Sequence, residues 1–264
     1  MKKRFGQNLL TDKNYLNKII SEINLSSNDI VLEIGAGSGN LTTLLSPRVK
    51  KVFAVEVERE ILKKLKENLS LKQISNVEIV EKDFLSLNLK SLINSPFKIV
   101  GNIPYNITSK ILVKIFGEIG IPASHLDLIK EINLMLQYEV AQRVSAKVGT
   151  KSYGPLTLLV QYFSVPKILF KVPANVFFPV PKVDSAFVSF KVREKLQEVK
   201  DPILLRNIIK ASFQQRRKKI INALSKSFDK NELEKIFKTL DLDQNLRAEN
   251  LGMGDYIKIL SGYP

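Results

Sequence analysis

Gly35, Gly37 and Gly39, with Glu56, Asp83 and Asn102, are the residues of this 264-residue chain whose types and spacing could hold a ligand. The glycines sit two apart. A dinucleotide-binding turn would place its third glycine at position 40, where this chain has Asn40. Glu56 lies 21 residues past Gly35, the offset of a carboxylate that accepts hydrogen bonds from ribose hydroxyls. Asp83 offers a short acceptor to an adenine amino group. There is no Gly-Lys-Ser/Thr phosphate loop, and Glu33, beside the turn, would repel a pyrophosphate. The ligand implied is a nucleoside with a cationic or zwitterionic tail. S-adenosylmethionine fits, because acids suit its sulfonium and ammonium charges while glycines let the backbone approach. Taken singly, each glycine reads as an ordinary turn residue and each acid as a solvated strand end; four positions in register favour a nucleoside pocket.

A second constellation, Asn102-Ile103-Pro104-Tyr105, suits chemistry on an adenine amino group. That nitrogen is a poor nucleophile because its lone pair is delocalised into the ring. Methylating it requires acceptors aimed at the N–H protons, so that the nitrogen can pyramidalise as positive charge develops. No strong base is needed, since the product cation loses a proton readily. Asn102 supplies a side-chain carbonyl, the Ile103 peptide carbonyl stiffened by Pro104 a second acceptor, and Tyr105 an aromatic face. Phe177, in Val176-Phe177-Phe178-Pro179-Val180-Pro181, is the expected stacking partner on the other side. Such stacking contributes roughly 1 to 3 kcal/mol per base. For Tyr105 and Phe177 a place in the hydrophobic core is the competing reading.

These residues need a scaffold that brings strand ends together. Val31-Leu32-Glu33-Ile34 reads as a strand that runs into the glycine turn, followed by helical spacing at Leu41, Leu44 and Leu45. Strands are expected at Val52 to Val55, Val77 to Val80 and Phe97 to Val100, with a helix from Glu58 to Leu69. Alternation of this kind implies a parallel α/β sheet with ligands outside the carboxyl ends of its strands, where Gly35, Glu56, Asp83 and Asn102 fall. A helix from Ile107 to Phe116 and another from Leu134 to Val144 follow, then strands at Leu156 to Ser164 and Ala186 to Val192. The proline-rich stretch Val172 to Lys182 is expected to be a loop that no regular element accommodates. Beyond about residue 193 only helical periodicity remains, as in Leu204, Leu205, Ile208, Ile209 and Leu233, Ile236, Phe237, Leu240. The expected division is therefore residues 1–192 and 193–264.

Missing residue types narrow the chemistry further. With no Cys there is no disulfide framework, no thiolate zinc site and no covalent thiol catalysis, which removes the usual route to methylating pyrimidine carbon 5. No metal is expected. The single histidine, His125, is expected on the surface or in a loop. A formal charge of +15 favours a polyanionic partner. The segment after residue 190 carries +6 in 74 residues against +9 in the first 190, so the tail is the more densely basic part. Its run Arg216-Arg217-Lys218-Lys219 is expected within a helix, one or two of the four meeting RNA phosphates and the rest forming a solvated face. No run of eighteen apolar residues is present, and the basic start leads into Gln, Asn and Asp. A cytoplasmic location and no membrane partner are the expectation.

At this point the chain resembles the ribosomal RNA adenine dimethyltransferase family, its small-subunit members in particular. The motifs that carry the likeness run in order: residues 3–10, Glu33-Ile34-Gly35-Ala36-Gly37-Ser38-Gly39-Asn40-Leu41-Thr42, residues 101–107, Met135-Leu136-Gln137-Tyr138-Glu139-Val140-Ala141, residues 177–186, Gln215-Arg216-Arg217-Lys218-Lys219 and Arg247-Ala248-Glu249-Asn250. The resemblance implies a Rossmann-like, seven-stranded class I S-adenosylmethionine-dependent methyltransferase domain, an arm at 1–12 over the cofactor, and a small all-helical carboxyl-terminal domain that binds RNA. It implies transfer of four methyl groups to two adjacent adenines near the 3′ end of small-subunit (16S) ribosomal RNA, coupled to small-subunit biogenesis, by a monomer. Asn8, Leu10, Gly35, Glu56, Asp83 and Asn102 fall on the family's cofactor positions. Asn102, Pro104 and Tyr105 match its catalytic turn, Phe177 its stacking residue, and Arg216 to Lys219 its basic segment.

Three departures stand out: Leu9 where the family usually has Phe, Pro155 where a basic residue is common, and a longer stretch from Gly117 to Leu126. Rival readings are a small-subunit assembly factor with methylation secondary or lost, the related large-subunit methylase, and a DNA adenine methylase. A nicotinamide oxidoreductase is disfavoured by Asn40 and by the lack of a proton-relay constellation.

Overall fold

The structure is a computed structural model that describes residues 8–264. The basic start and most of the expected arm at 1–12 lie outside the described residues. In chain order the elements begin with β1 (Leu9–Leu10) and α1 (Lys13–Glu22). Asp12 caps α1, its carboxylate accepting from the Asn14 and Tyr15 amides. Strand and helix then alternate as β2 (Ile30–Ile34), α2 (Thr42–Leu45), β3 (Lys51–Glu56), α3 (Arg59–Leu71), β4 (Val77–Glu81), α4 (Leu89–Leu92), β5 (Phe97–Asn102) and α5 (Thr108–Phe116). A short hairpin, β6 (Gly117–Glu118) with β7 (Ile121–Pro122), leads to β8 (Ile129–Gln137), α6 (Tyr138–Val144), α7 (Pro155–Phe163), β9 (Ser164–Val172), β10 (Phe177–Phe178) and β11 (Ser185–Val192). Four helices close the chain: α8 (Pro202–Gln214), α9 (Ile220–Leu224), α10 (Lys230–Thr239) and α11 (Met253–Gly262).

Seven strands form one sheet in the order β4-β3-β2-β5-β8-β11-β9. The pairs from β4 through β8 are parallel, and β11 runs antiparallel to β8. This is a Rossmann-like α/β sheet, in agreement with the alternation in the sequence. The order reverses direction at β2, which lies between β3 and β5, and a ligand crevice forms at such a switch point. The central strands are buried on both faces: Val31, Leu32, Ile34, Val52, Ala54, Val55, Ile99 and Val100 have almost no exposure. At the opposite, amino-terminal end of the strands, Lys98 of β5 ion-pairs with Asp29 at 2.8 Å and donates to the Asn24 carbonyl.

Four expectations are corrected here. Leu156 to Phe163 is helix, not strand, and only Ser164 begins a strand: Pro155 takes the first helical position, Gly154 N donates to Thr157 Oγ1 and Thr157 in turn donates to the Arg143 carbonyl. Its residues are buried on almost every side, so no polar stripe marks the helical period. Conversely Leu134 to Gln137 belongs to β8, a strand flanked on both sides, whose continuous apolar run imitates a helix; only Tyr138–Val144 is helical. The Pro-rich stretch holds regular structure after all, since β9 extends to Val172 and Phe177–Phe178 pairs with β1. Finally, Arg216 to Lys219 lie between α8 and α9, not within a helix.

The chain divides into two compact units. One holds residues up to Ile115, Ser124–Ala141 and Val165–Val192; the other holds Phe116–Ala123, Gln142–Ser164 and Arg193–Pro264. Within the second, Phe116 stacks on Phe163 with centroids 6.1 Å apart, Arg206 pairs with Glu118, and the Tyr256 hydroxyl donates to the Ala248 carbonyl at 3.0 Å. The longer stretch after Gly117 is thus the β6–β7 hairpin, whose Glu118 is used in that unit's packing. Among the described residues no helix is long and apolar enough to cross a membrane, and no cluster of three or more His, Cys, Asp or Glu could hold a metal ion.

Candidate active site

The carboxyl end of β2 turns through three left-handed residues, Gly35 (φ +73°), Gly37 (φ +56°) and Gly39 (φ +89°), a path open to glycine at little steric cost. The turn is tied down by its own backbone: Gly35 N and Ala36 N both donate to the Val55 carbonyl at 3.0 Å. Gly101, in the neighbouring β5, is required for a different reason. A Cβ there would lie 2.5 Å from the Ile34 carbonyl oxygen, so a side chain would force the two strands apart beneath the turn.

Glu56, at the end of β3, is buried and folds the site as well as lining it. Its Oε2 accepts from Gly37 N at 2.9 Å, and its Oε1 accepts from Val57 N at 2.8 Å and Glu58 N at 3.0 Å. Asp83 follows β4 and is exposed; its Oδ1 accepts from Leu85 N at 2.9 Å, leaving Oδ2 as an acceptor. Three cavities meet at Gly35. The first, about 420 Å³ including its mouth, is walled by Leu9, Leu10, Glu33, Asn40, Asn102 and Met135 among others. A second, about 300 Å³, lies along Asn8, Glu56, Asn102, Ile103, Pro104 and Tyr105. The third, about 350 Å³, is bounded by Glu56, Val57, Asp83, Phe84, Pro104 and Ile107. Because Leu9 and Asn102 wall both of the first two, and Glu56 and Pro104 both of the last two, they form one groove over the strand ends. Asn8, Leu10, Gly35, Glu56, Asp83 and Asn102 are therefore gathered along a single groove.

Asn102 ends β5 at the middle of this groove. Its Nδ2 donates to the Asn8 carbonyl at 2.6 Å, which leaves Oδ1 as the acceptor of the side chain. Nearby, the Asn40 amide donates to the Leu10 carbonyl at 2.9 Å, so one side chain from the glycine turn and one from β5 hold the segment around β1. Pro104 precedes a helical turn at Tyr105–Ile107, and the Thr108 hydroxyl lies 3.2 Å from the Tyr105 carbonyl. The Tyr105 hydroxyl bonds to Ser185 Oγ at 2.5 Å. Burial raises the Tyr105 pKa, against the opposing effect of the Ser185 contact, so the ring stays a neutral phenol.

Phe177 does not present a ring face to the groove. It is 2% exposed and packs in a core cluster with Leu10, Leu16, Ile19, Met135 and Phe187, whereas Phe178 beside it is 64% exposed. The expected stacking residue is thus a core residue in this conformation, with Leu10 its partner across the β1–β10 pair. Side chains alternate across a strand, so burying one of two adjacent phenylalanines turns the other outward. His125 lies in a loop, one of the two places expected for it, and is buried there at 5% exposure; burial together with nearby Lys114 lowers its pKa. Of the four basic residues after α8, Arg216 is engaged inside its own unit, its guanidinium 3.3 Å from Glu249 and donating to the Lys151 carbonyl. Arg217, Lys218 and Lys219 line the rest of that loop, between the ends of α8 and α9.

Two groups escaped the sequence reading. Ser185, the partner of Tyr105, carries no signal, because 80 residues separate the two. Glu33 was legible as an anomaly, a carboxylate inside the apolar strand Ile30–Ile34, yet was read only as repelling phosphate. It is 1% exposed, walls the cavity that Leu9, Leu10, Asn40 and Asn102 also line, and has no hydrogen-bond partner at Oε2. A buried carboxyl in that position, beside glycines that let a ligand reach the backbone, fits a ligand that brings positive charge.

Comparison with known proteins finds relatives that match along almost the whole chain. The profile of the family described as ribosomal RNA adenine dimethylase matches residues 1–263. A protein of Fusobacterium nucleatum called ribosomal RNA small subunit methyltransferase A is 40% identical over 98% of this chain and 96% of its own length. One of the same name from Caldanaerobacter subterraneus is 37% identical over 98% and 95%. Among solved structures, a dimethyladenosine transferase from Plasmodium falciparum is 29% identical with a TM-score of 0.77, covering 96% of both chains. The 23S rRNA methyltransferase ErmE is 25% identical with a TM-score of 0.75, over 97% of this chain and 99% of that one.

Proposed function

The chain belongs to the ribosomal RNA adenine dimethylase family, and from that premise we propose that it transfers methyl groups from S-adenosylmethionine to N6 of two adjacent adenines near the 3′ end of small-subunit (16S) ribosomal RNA. The observation that carries the reading is the Asn102–Tyr105 turn, which ends β5 where the cavities of the groove join. Small-subunit rRNA is favoured as substrate because the curated relatives that match along the full chain are named for it.

S-adenosylmethionine, when bound, supplies the electrophilic methyl carbon. Asp83 and Glu56 wall the end of the groove suited to its nucleoside, and Glu33, Asn102, Leu10 and the segment at Asn8 wall the end suited to its amino acid. Asn102 acts on the substrate: with Nδ2 held by Asn8, Oδ1 accepts an amino proton and draws electron density onto the nitrogen as positive charge grows there. The Ile103 carbonyl is the second acceptor. Pro104 has no N–H and a fixed φ, so that carbonyl is held without a competing donor. Tyr105 gives the adenine an aromatic wall, fixed by its bond to Ser185. No residue is needed as a strong base, because the methylated ammonium sheds its proton to water.

Phe177 serves as a positioning residue: buried opposite Leu10, it holds β10 against β1 and so sets the wall of the groove. Arg217, Lys218 and Lys219 meet the RNA backbone, and Arg216 braces their loop.

The test is methyl transfer from labelled S-adenosylmethionine to unmethylated small subunits, with large subunits and duplex DNA as controls and digestion to nucleosides as readout. N6,N6-dimethyladenosine from small subunits alone is expected. Product from large subunits or DNA would reassign the substrate, and binding to small subunits without transfer would make the chain an assembly factor.

A further inference from the structure

Phe178 is the one exposed phenylalanine among the described residues, and Val180 and Val183, close behind it in the chain, are exposed as well. A ring left in water, with apolar neighbours beside it, marks a surface that a partner covers. Its position follows from the strand pair. Phe178 lies directly opposite Leu9 in the antiparallel β1–β10 pair, and opposed residues carry their side chains on the same face. Leu9 faces the glycine turn: it walls two cavities of the groove, and a Cβ on Gly37 would come within 2.6 Å of its Cδ2. The Phe178 ring therefore stands on the groove side of the pair, at the rim of the cavity that Asn102 and Tyr105 also line.

The tip that carries the ring is held at its base. Thr11 N and the Thr11 hydroxyl both donate to the Val176 carbonyl, at 3.1 and 3.2 Å. Asp184 ion-pairs with Lys171 at 2.7 Å and accepts from Ala174 N at 3.0 Å. It is the one acid between positions 172 and 184, and Lys171 offsets its charge, so the exposed Lys182 gives the tip its positive character. An aromatic face beside a cation, on a chain of net charge +15, fits a base and its phosphate better than it fits an apolar protein surface.

We propose that Phe178 is a stacking platform for the nucleotide next to the adenine that enters the groove, with Lys182 on the adjoining phosphate. The proposal rests on the methyltransferase reading and deepens it, by naming the residue that holds the RNA while an adenine is drawn out of its stack. Extruding a base takes a stacking partner from its neighbour. A ring already in place at the rim replaces that partner with little further ordering, and does so without reading sequence, because every base has a π face.

Methyl transfer by the full chain to unmethylated small subunits tests this. Phe178→Ala should lower kcat/KM for subunits about tenfold, on the scale of one lost base stack, while KM for S-adenosylmethionine and the salt slope of subunit binding stay as in wild type. Phe178→Trp should return transfer to within about twofold of wild type, and Phe178→Leu, apolar without a π face, should not. Wild-type kcat/KM in Phe178→Ala or in Phe178→Leu would overturn the proposal and leave the methyltransferase reading in place. A wild-type dimer in sedimentation that Phe178→Ala dissociates would assign the patch to a second copy of the chain and overturn the proposal too. No transfer by the wild-type protein would overturn the methyltransferase reading and the proposal with it. The chain has no Trp, so the indole of Phe178→Trp reports on this position once the emission of a wild-type mixture is subtracted. Its fluorescence should be quenched on binding unmethylated small subunits. Unchanged emission in the bound complex would overturn the stack, whether or not Phe178→Ala folds.

Discussion

Replacing Glu33 by Gln should stabilise the ligand-free protein, and by an amount that depends on pH in a calculable way. Its carboxyl is fully buried, and desolvation, partly opposed by Thr42 and reinforced by Glu56, raises its pKa from 4.5 to about 8. The folded pKa lies above the unfolded one. Between pH 4.5 and 8 the folded protein therefore keeps a proton that the unfolded chain has released, so stability falls as pH rises through that window and levels off above it. At 1.36 kcal/mol per unit the full difference is about 5 kcal/mol, of which roughly 3 to 4 kcal/mol falls between pH 5 and pH 8. Gln is nearly isosteric and cannot ionise, so this dependence vanishes in the variant. Other titrating groups act equally in both proteins and cancel in the difference. At about 2–4 °C per kcal/mol, the advantage of Glu33→Gln in melting temperature should widen by roughly 10 °C from pH 5 to pH 8. Thermal melts of both proteins, without ligand, across that range are the assay. A gap that stays constant or narrows would refute the argument, because it would mean that Glu33 ionises as readily in the folded protein as in the unfolded chain.

Other outcomes follow from the neighbours of each residue. Asn102→Ala should remove most methyl transfer, by about 100-fold or more on the scale of a missing transition-state acceptor, while circular dichroism and binding to small subunits stay near wild type; near-normal turnover in single-turnover assays would exclude Asn102 as an acceptor. Phe177→Ala should cost about 3–5 kcal/mol in denaturant melts as a core truncation, and Phe178→Ala, at an exposed position, within about 0.5 kcal/mol; the reverse order would show that β10 is faced the other way. Arg216→Ala should lower stability on the order of 1 kcal/mol by releasing Glu249 and the Lys151 carbonyl. The triple change Arg217→Ala, Lys218→Ala, Lys219→Ala should leave stability unchanged and reduce the salt slope of RNA binding by roughly 0.7–0.9 for each phosphate that is no longer neutralised. Filter binding across a salt series separates the two.

Short-range signals in the sequence were enough for the strand ends. Gly35, Glu56, Asp83 and Asn102 each follow an apolar run whose length and flanking turn are local properties, and a parallel sheet places all such ends along one edge. The chemistry of Asn102-Ile103-Pro104-Tyr105 was legible for the same reason: acceptor, fixed φ and ring are properties of residue types. Pairing between distant segments was not legible. Which of Phe177 and Phe178 is buried depends on β10 meeting β1, more than 160 residues earlier in the chain, and a two-residue strand has no periodicity to announce its inner face. Leu156 to Phe163 and Leu134 to Gln137 exchanged their expected structures because both are buried on most sides, and periodicity is lost where no side faces water. Arg216 differs from its three basic neighbours through Glu249 and Lys151, which the fold brings to it. The raised pKa of Glu33 belongs wholly to the tertiary structure: composition determines that a carboxyl is present, but burial among walls whose described residues include no cation is what favours its neutral form.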